Sequence, residues 1–264
     1  MRTFVWAVCL FLSLSSPSGI QSQEPTRTQD MVRDSAAVAV VQKCLSALGG
    51  AQVATIQDFT ESGNITYHWA GQDVEGSVTV QGKDLAEFRL DVALPQGSRT
   101  FRVSGAAGSF TTEDGKTMPI PYSSLIMAGS MTFPSLRIAS VLNTSAVAIH
   151  YIGLVPFESG KAFQIHVVPP VDQALASPIA KSHLGQYDLY IDPNTYQLLE
   201  ISESVAPGTD QEIQHQLRYS SYQIANGVLV PYSISERWGG QETWAITLKS
   251  VSFNAGPSDT LFRP

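Results

Sequence analysis

The side chains in this chain that could do chemistry are few and scattered. His68, His150, His166, His183 and His215 fall one to a strand or loop, without the close spacing that presents a sequence-local metal pair. His150 and His166 would meet if their strands were neighbours, which makes a metal site conceivable; histidines on the polar faces of strands are the simpler reading. Cys44 lies between Val41 and Leu48 beside an apolar stripe, where a thiol packs as a small hydrophobe rather than acting as a nucleophile. Asp188 and Asp192 share a strand face and suggest paired carboxylates, but they flank a turn, and a solvated edge explains them better. There is no Gly-x-Ser-x-Gly elbow, no His-Glu-x-x-His, no phosphate-cradling loop and no dinucleotide fingerprint. Gly105 to Gly108 (GAAG) is a turn between strands with no helix behind it to hold a phosphate. The expectation is therefore a protein that is not an enzyme, with no catalytic residues, no metal and no cofactor. The sequons at Asn64 and Asn143 matter only in a host that glycosylates exported chains.

The elements that would position these groups begin after a leader. Arg2, the apolar run Phe4 to Leu14 and the small polar stretch Ser15 to Ser22 follow the order of a secretory signal peptide. The run is too short to span a bilayer, and no later segment reaches the roughly 20 apolar residues of a membrane helix. The expected division is a signal peptide at 1–22, a flexible leader at 23–28 and one domain at 29–264. Cys9 lies inside the apolar run, too early to carry a lipid anchor, and Cys44 alone in the mature chain forbids an internal disulfide. Losing Arg2 leaves 15 basic against 23 acidic residues, with no basic cluster. Nucleic acid and an anionic membrane face are poor partners on that balance, and no integral membrane segment is expected.

From about Gln29 the pattern is helical, with Val38, Val41, Leu45 and Leu48 in one stripe ended by Gly49-Gly50. The period then becomes two. Ile65, Tyr67 and Trp69 alternate with polar residues, as do Phe88, Leu90, Val92 and Leu94, then Phe101, Val103 and Phe110. Glycine-containing turns separate five such runs. Between Pro119 and Leu142 alternation gives way to helical spacing at Leu125, Met131, Leu136 and Val141, and Pro134 suits the start of a second short helix. Strands resume at Val147, Phe163 and Tyr187 and continue at about 196–204, 212–223, 227–237 and 242–253, with Asn226-Gly227 a tight turn. The total is eleven or twelve antiparallel strands, one N-terminal helix and one helical insertion.

So many strands cannot stay flat. The economical fold is mainly β: a curled antiparallel half-barrel whose mouth the insertion covers, with a sandwich as the alternative. Period-two strands give one continuous apolar face. Phe88, Leu90, Phe101, Val103, Tyr187, Leu189 and Tyr219 would line its concavity, and Leu125, Ile126, Met127 and Phe133 would close over it. Met118, Met127 and Met131 cluster there, as suits a surface that repacks around varied apolar ligands; an ordinary helix-on-sheet core is the bland alternative.

This order of elements resembles the half-barrel superfamily of periplasmic lipoprotein carriers, the LolA/LolB-like proteins. Leu48-Gly49-Gly50 with Ile56-Gln57-Asp58-Phe59 and Gly63 is similar to that family's passage from first helix to first strand. Tyr190 to Thr195 (YIDPNT) resembles its Asp-Pro-x-Thr hairpin. Tyr222, Asn226-Gly227 and Val230-Pro231, then Val251 to Phe262, resemble its last strands. The resemblance spans nearly all of the mature chain, with a longer loop at about 171–184. It implies an exported protein, periplasmic or secreted, that binds acyl lipid or lipoprotein acyl chains beneath a helical lid, with other envelope proteins as further partners. The family's lid-holding arginine has no counterpart evident in the sequence, since Arg89 and Arg102 fall on polar strand faces. A non-catalytic envelope sensor or structural module with the same fold is the second reading, and a hydrolase on a β scaffold the third.

Overall fold

A computed structural model of the chain describes residues 32–69, 71–170, 185–205 and 212–264. The expected signal peptide, the leader and the loop at 171–184 lie outside these residues. Everything described belongs to one compact unit.

The first helix, α1, spans Ser35–Leu48. It starts six residues later than its pattern suggested, because Arg33 bridges to Ile149 in extended conformation and Asp34 caps the helix through Ala36 N. Its buried stripe is Ala37, Val41, Cys44 and Leu48. That corrects the expected one: Val38 and Leu45 lie at its margin, and Ala37 and Cys44 take the fully buried positions. Gly49 takes φ 133° and donates its N–H to the last turn, ending the helix against the backbone of Val228.

Among the described residues, thirteen antiparallel strands follow in one unclosed, curled sheet. They are β1 (Asp58–Trp69), β2 (Gln72–Lys83), β3 (Glu87–Leu94), β4 (Gly97–Ser104), β5 (Ala107–Thr111), β6 (Thr117–Pro119), β7 (Ala148–Phe157), β8 (Gly160–Val168), β9 (Tyr187–Ile191), β10 (Leu198–Val205), β11 (Ile213–Ala225), β12 (Val228–Trp238) and β13 (Gln241–Phe253). The sheet runs β6-β5-β4-β3-β2-β1-β13-β12-β11-β10-β9-β8-β7, so both chain halves are meanders joined where β1 pairs with β13. The strand beyond the expected number is β6, three exposed residues at the sheet edge that end in a proline. At the seam, β1 shifts register between Ser62 and Gly63. A Cβ on Gly63 would lie 2.3 Å from the Thr247 carbonyl oxygen, so this close approach requires glycine.

The connection between β6 and β7 lies over the concave face. Instead of two helices it holds a 3-10 turn at Tyr122–Ser124, another at Ala128–Ser130 and one true helix, α2 (Ser135–Asn143), with Pro134 just ahead of it. α2 packs on α1, and the buried residues of both join those of the sheet in one core.

Candidate functional site: the concave face and its cover

Each strand near the seam turns alternate residues inward, and the cover seals part of that face. Phe133 is fully buried, with its ring 5.2 Å from Phe59 and 5.3 Å from Phe253. Phe59 and Phe253 are partners across β1 and β13, so the ring sits on the seam. Two arginines fix the rest of the cover. Arg33 donates from Nη1 to the carbonyls of Val141, Thr144 and Val147 at 2.9–3.1 Å, and from Nη2 to Leu142 O at 3.3 Å. It gathers carbonyls where α2 ends, of which Thr144 O also accepts from Val147 N, and ties them to the start of β7. Arg137, buried on α2, donates to Ile126 O at 2.5 Å and lies 5.6 Å over the Tyr187 ring on β9. Burial raises the Tyr187 phenol while the Arg137 charge opposes it. Arg137 is thus a buried arginine between cover and wall that sequence reasoning did not single out. Its signal was a cation two positions after Ser135 on an otherwise apolar helical stretch. Arg89, by contrast, pairs with Asp91 on the outer face.

Of the residues expected to line or close a cavity, Phe88, Leu90, Val103, Leu125, Met127, Phe133, Tyr187, Leu189 and Tyr219 belong to one buried core, with Phe101 packed against it. The structure brings these together as packed core. Leu125 and Ile126 also line an open cleft of about 640 Å³. Its walls are the β2–β3 connection at Asp84 to Ala86, the β4–β5 turn at Gly105 and Ala106, the turn at Tyr122, α2 from Leu136 to Asn143, and Pro169 and Pro170 after β8. Arg137 faces this cleft as well. The cleft is apolar in its larger part and meets the core at Leu125.

The groups that suggested chemistry are accounted for locally. His150 and His166 are partners across β7 and β8, with ring centroids 6.3 Å apart. His166 Nδ1 lies 2.9 Å from Asp188, which also accepts from Gln164, and the Asp188 hydrogen bond raises the histidine above its usual value. Asp188 therefore stands inside the sheet in a polar network, which corrects its expected place at a solvated edge. Asp192 accepts from the backbone of Asn194 and Thr195 and shapes the turn, so the two aspartates do not form a pair. Cys44 is fully buried, and burial pushes its thiol up. Among the described residues, no three His, Cys, Asp or Glu side chains gather as metal ligands would, and no helix is long and apolar enough to cross a membrane.

Among the described residues, one buried ionisable cluster and one lone buried carboxyl on inward-facing positions were not foreseen. His215 sits between Glu203 at 2.7 Å and Glu236 at 3.0 Å, stacked on Trp238 at 4.3 Å. Burial pushes it down, but hydrogen bonds to the two carboxylates outweigh burial and leave it at about 9. Glu61, on β1 between Phe59 and Gly63, is fully buried and is the lone carboxyl.

No family model matches the chain, and no curated protein sequence matches it. Solved structures do. A LolA superfamily protein from Nitrosomonas europaea superimposes with a TM-score of 0.57 at 10% identity, over 86% of this chain and 97% of the other. A domain named for outer membrane lipoprotein sorting, from Vibrio parahaemolyticus, gives 0.53 at 9% identity, over 86% and 96%. A DUF1329 family protein from Desulfovibrio piger gives 0.52 at 11% identity, over 86% and 97%. Identities this low speak to architecture alone, and the architecture is plain: an unclosed antiparallel sheet curled around a helical cover, the LolA-like fold.

Proposed function

We propose that this chain is an exported, non-catalytic protein that binds acyl lipid, or the acyl chains of a lipoprotein, against its concave face, and that it works as a soluble carrier in the periplasm or outside the cell. The observation that carries this reading is the apolar cleft of about 640 Å³ between the cover and the β2–β3 and β4–β5 turns at the rim of the sheet, which meets the buried core at Leu125. Its volume is of the order a single lipid chain or drug-sized ligand occupies. Each buried methylene contributes about 0.8 kcal/mol, so a dozen could offset the displacement of part of the cover. That part is the stretch from Pro121 to Phe133, since α2 itself is held at its end by Arg33. The names of the similar structures, lipoprotein sorting among them, support the same direction. The division into a signal peptide at 1–22, a leader at 23–28 and a domain from 29 belongs to this reading.

The test is organic extraction of protein purified from its native host, followed by mass spectrometry. Acyl species near one per chain are expected; extracts matching a buffer blank would contradict the reading.

A second reading, an envelope sensor or structural module that docks on other envelope proteins, is favoured by one observation. Phe133 is fully enclosed between Phe59 and Phe253, as a permanent core residue would be. Acyl-free protein with an unyielding cover is what that reading requires.

A further inference from the structure

The acyl-binding reading leaves Glu61 of the concave face unused. Glu61 is fully buried, and neither carboxyl oxygen has a hydrogen-bond partner. The alternation of β1 places it on the side of Phe59 and Ile65. Its strand partners are apolar, Val80 on β2 and Val251 on β13. From the cover it is faced by the hydroxyl of Thr132, itself fully buried and without a hydrogen bond; from β11 it is sensed by the phenol of Tyr219. None of these neighbours is a cation; Arg137 acts on the same Tyr219 phenol but not on Glu61. Burial raises Glu61 to about 7, and the Thr132 hydroxyl acts in the opposite sense. An uncompensated carboxyl in a core is costly to keep, and an ionised one more so. The next residue of the cover, Phe133, fills the space between Phe59 and Phe253. Thr132 and Phe133 therefore set a hydroxyl facing the carboxyl, short of a formed hydrogen bond, and a flat apolar group beside it, the arrangement that the head and tail of an amphiphile would reproduce.

We infer that Glu61 is the headgroup anchor of the concave site, and that the ligand it selects is an amphiphile with a cationic, amine-bearing headgroup that takes the place of Thr132 and Phe133. This rests on the acyl-binding reading and adds the headgroup to it. An ammonium brings three donors and a positive charge to two orphaned oxygens, where Thr132 brings one donor and none. An anionic headgroup would instead set two negative charges together in apolar surroundings.

The test is displacement of a bound fluorescent monoacylglycerol by dodecylamine, dodecanol and dodecanoate, each below its micellar concentration, at about pH 8, where the amine is charged. The amine is expected to bind about tenfold more tightly than the alcohol, and the carboxylate most weakly. In Glu61→Gln, checked for folding by circular dichroism, the amine should fall to the level of the alcohol. Thr132→Val keeps the carboxyl and removes its competitor, so amine affinity should rise; it also serves if Glu61→Gln does not fold. Equal affinities for amine and carboxylate, or an amine preference that survives Glu61→Gln, would overturn the inference while leaving the acyl reading intact. Unchanged amine affinity in Thr132→Val would overturn the exchange of Thr132 for a headgroup. Failure of all three amphiphiles and of the monoacylglycerol to bind would remove the acyl reading itself, and the inference with it.

Discussion

The ring of Phe133 lies 5.2 Å from that of Phe59, so the cover of this half-barrel is seated against the seam strand rather than laid loosely across the mouth. A seated cover and an open cleft beside it make two demands on the same short segment. It must contribute to the core, and it must yield if a chain is to enter.

Phe133→Ala separates these demands. As ordinary core the substitution costs roughly 3–5 kcal/mol. If the segment yields to ligand, part of that loss is spared, because water or ligand reaches the site, and an acyl probe binds more tightly or exchanges faster. Chemical denaturation together with probe exchange on wild type and variant reads both. Full core loss with no probe binding by either protein would favour the structural module.

The two arginines predict opposite behaviour. Arg33→Met removes the donor shared by four carbonyls between the end of α2 and the start of β7 and should lower stability by roughly 2–4 kcal/mol with little effect on probe exchange. Arg137→Met releases Ile126 O and the Tyr187 ring at the cleft, so probe exchange should accelerate at a smaller stability cost. Stopped-flow exchange and denaturant midpoints on both variants check this. Identical exchange rates in the two would contradict the division between a pinned helix and a yielding segment.

Much of this architecture is legible in the sequence because a sheet with one covered face writes its own period. Phe88, Leu90, Val92 and Leu94 alternate in sequence and are buried in the structure, and Asn226-Gly227 turns where its chemistry requires. Other features are silent for physical reasons. β6 is three exposed residues held by strand pairing and a Thr111–Thr117 hydroxyl contact. The two 3-10 turns ahead of α2 are too short to show a period. Glu61 reads as a polar residue among Thr60, Ser62 and Asn64, and only its parity with Phe59 and Ile65 marks it as inward. Arg137 gains its meaning from Tyr187, fifty residues on, which no local pattern reports.

His215 predicts a pH dependence. Its folded value, about 9, stands above the ordinary 6.5, so its protonated form stabilises the fold. That contribution is fully present below about 6.5 and is lost as pH rises through about 9, by roughly 3 kcal/mol at most. Thermal unfolding between about pH 6 and pH 10 should show the loss in wild type and not in His215→Gln. Parallel profiles for the two proteins would contradict a histidine held charged by Glu203 and Glu236.

The central claim is that an acyl chain enters the cleft at Leu125. Its most direct measurement is equilibrium titration of an uncharged fluorescent monoacylglycerol into wild type and Leu125→Arg, a substitution that sets a charge where the cleft meets the core. Saturable binding near one per chain by wild type, weakened about tenfold or more in a folded Leu125→Arg, is the predicted result. No saturable binding by wild type, or equal binding by both, would contradict it.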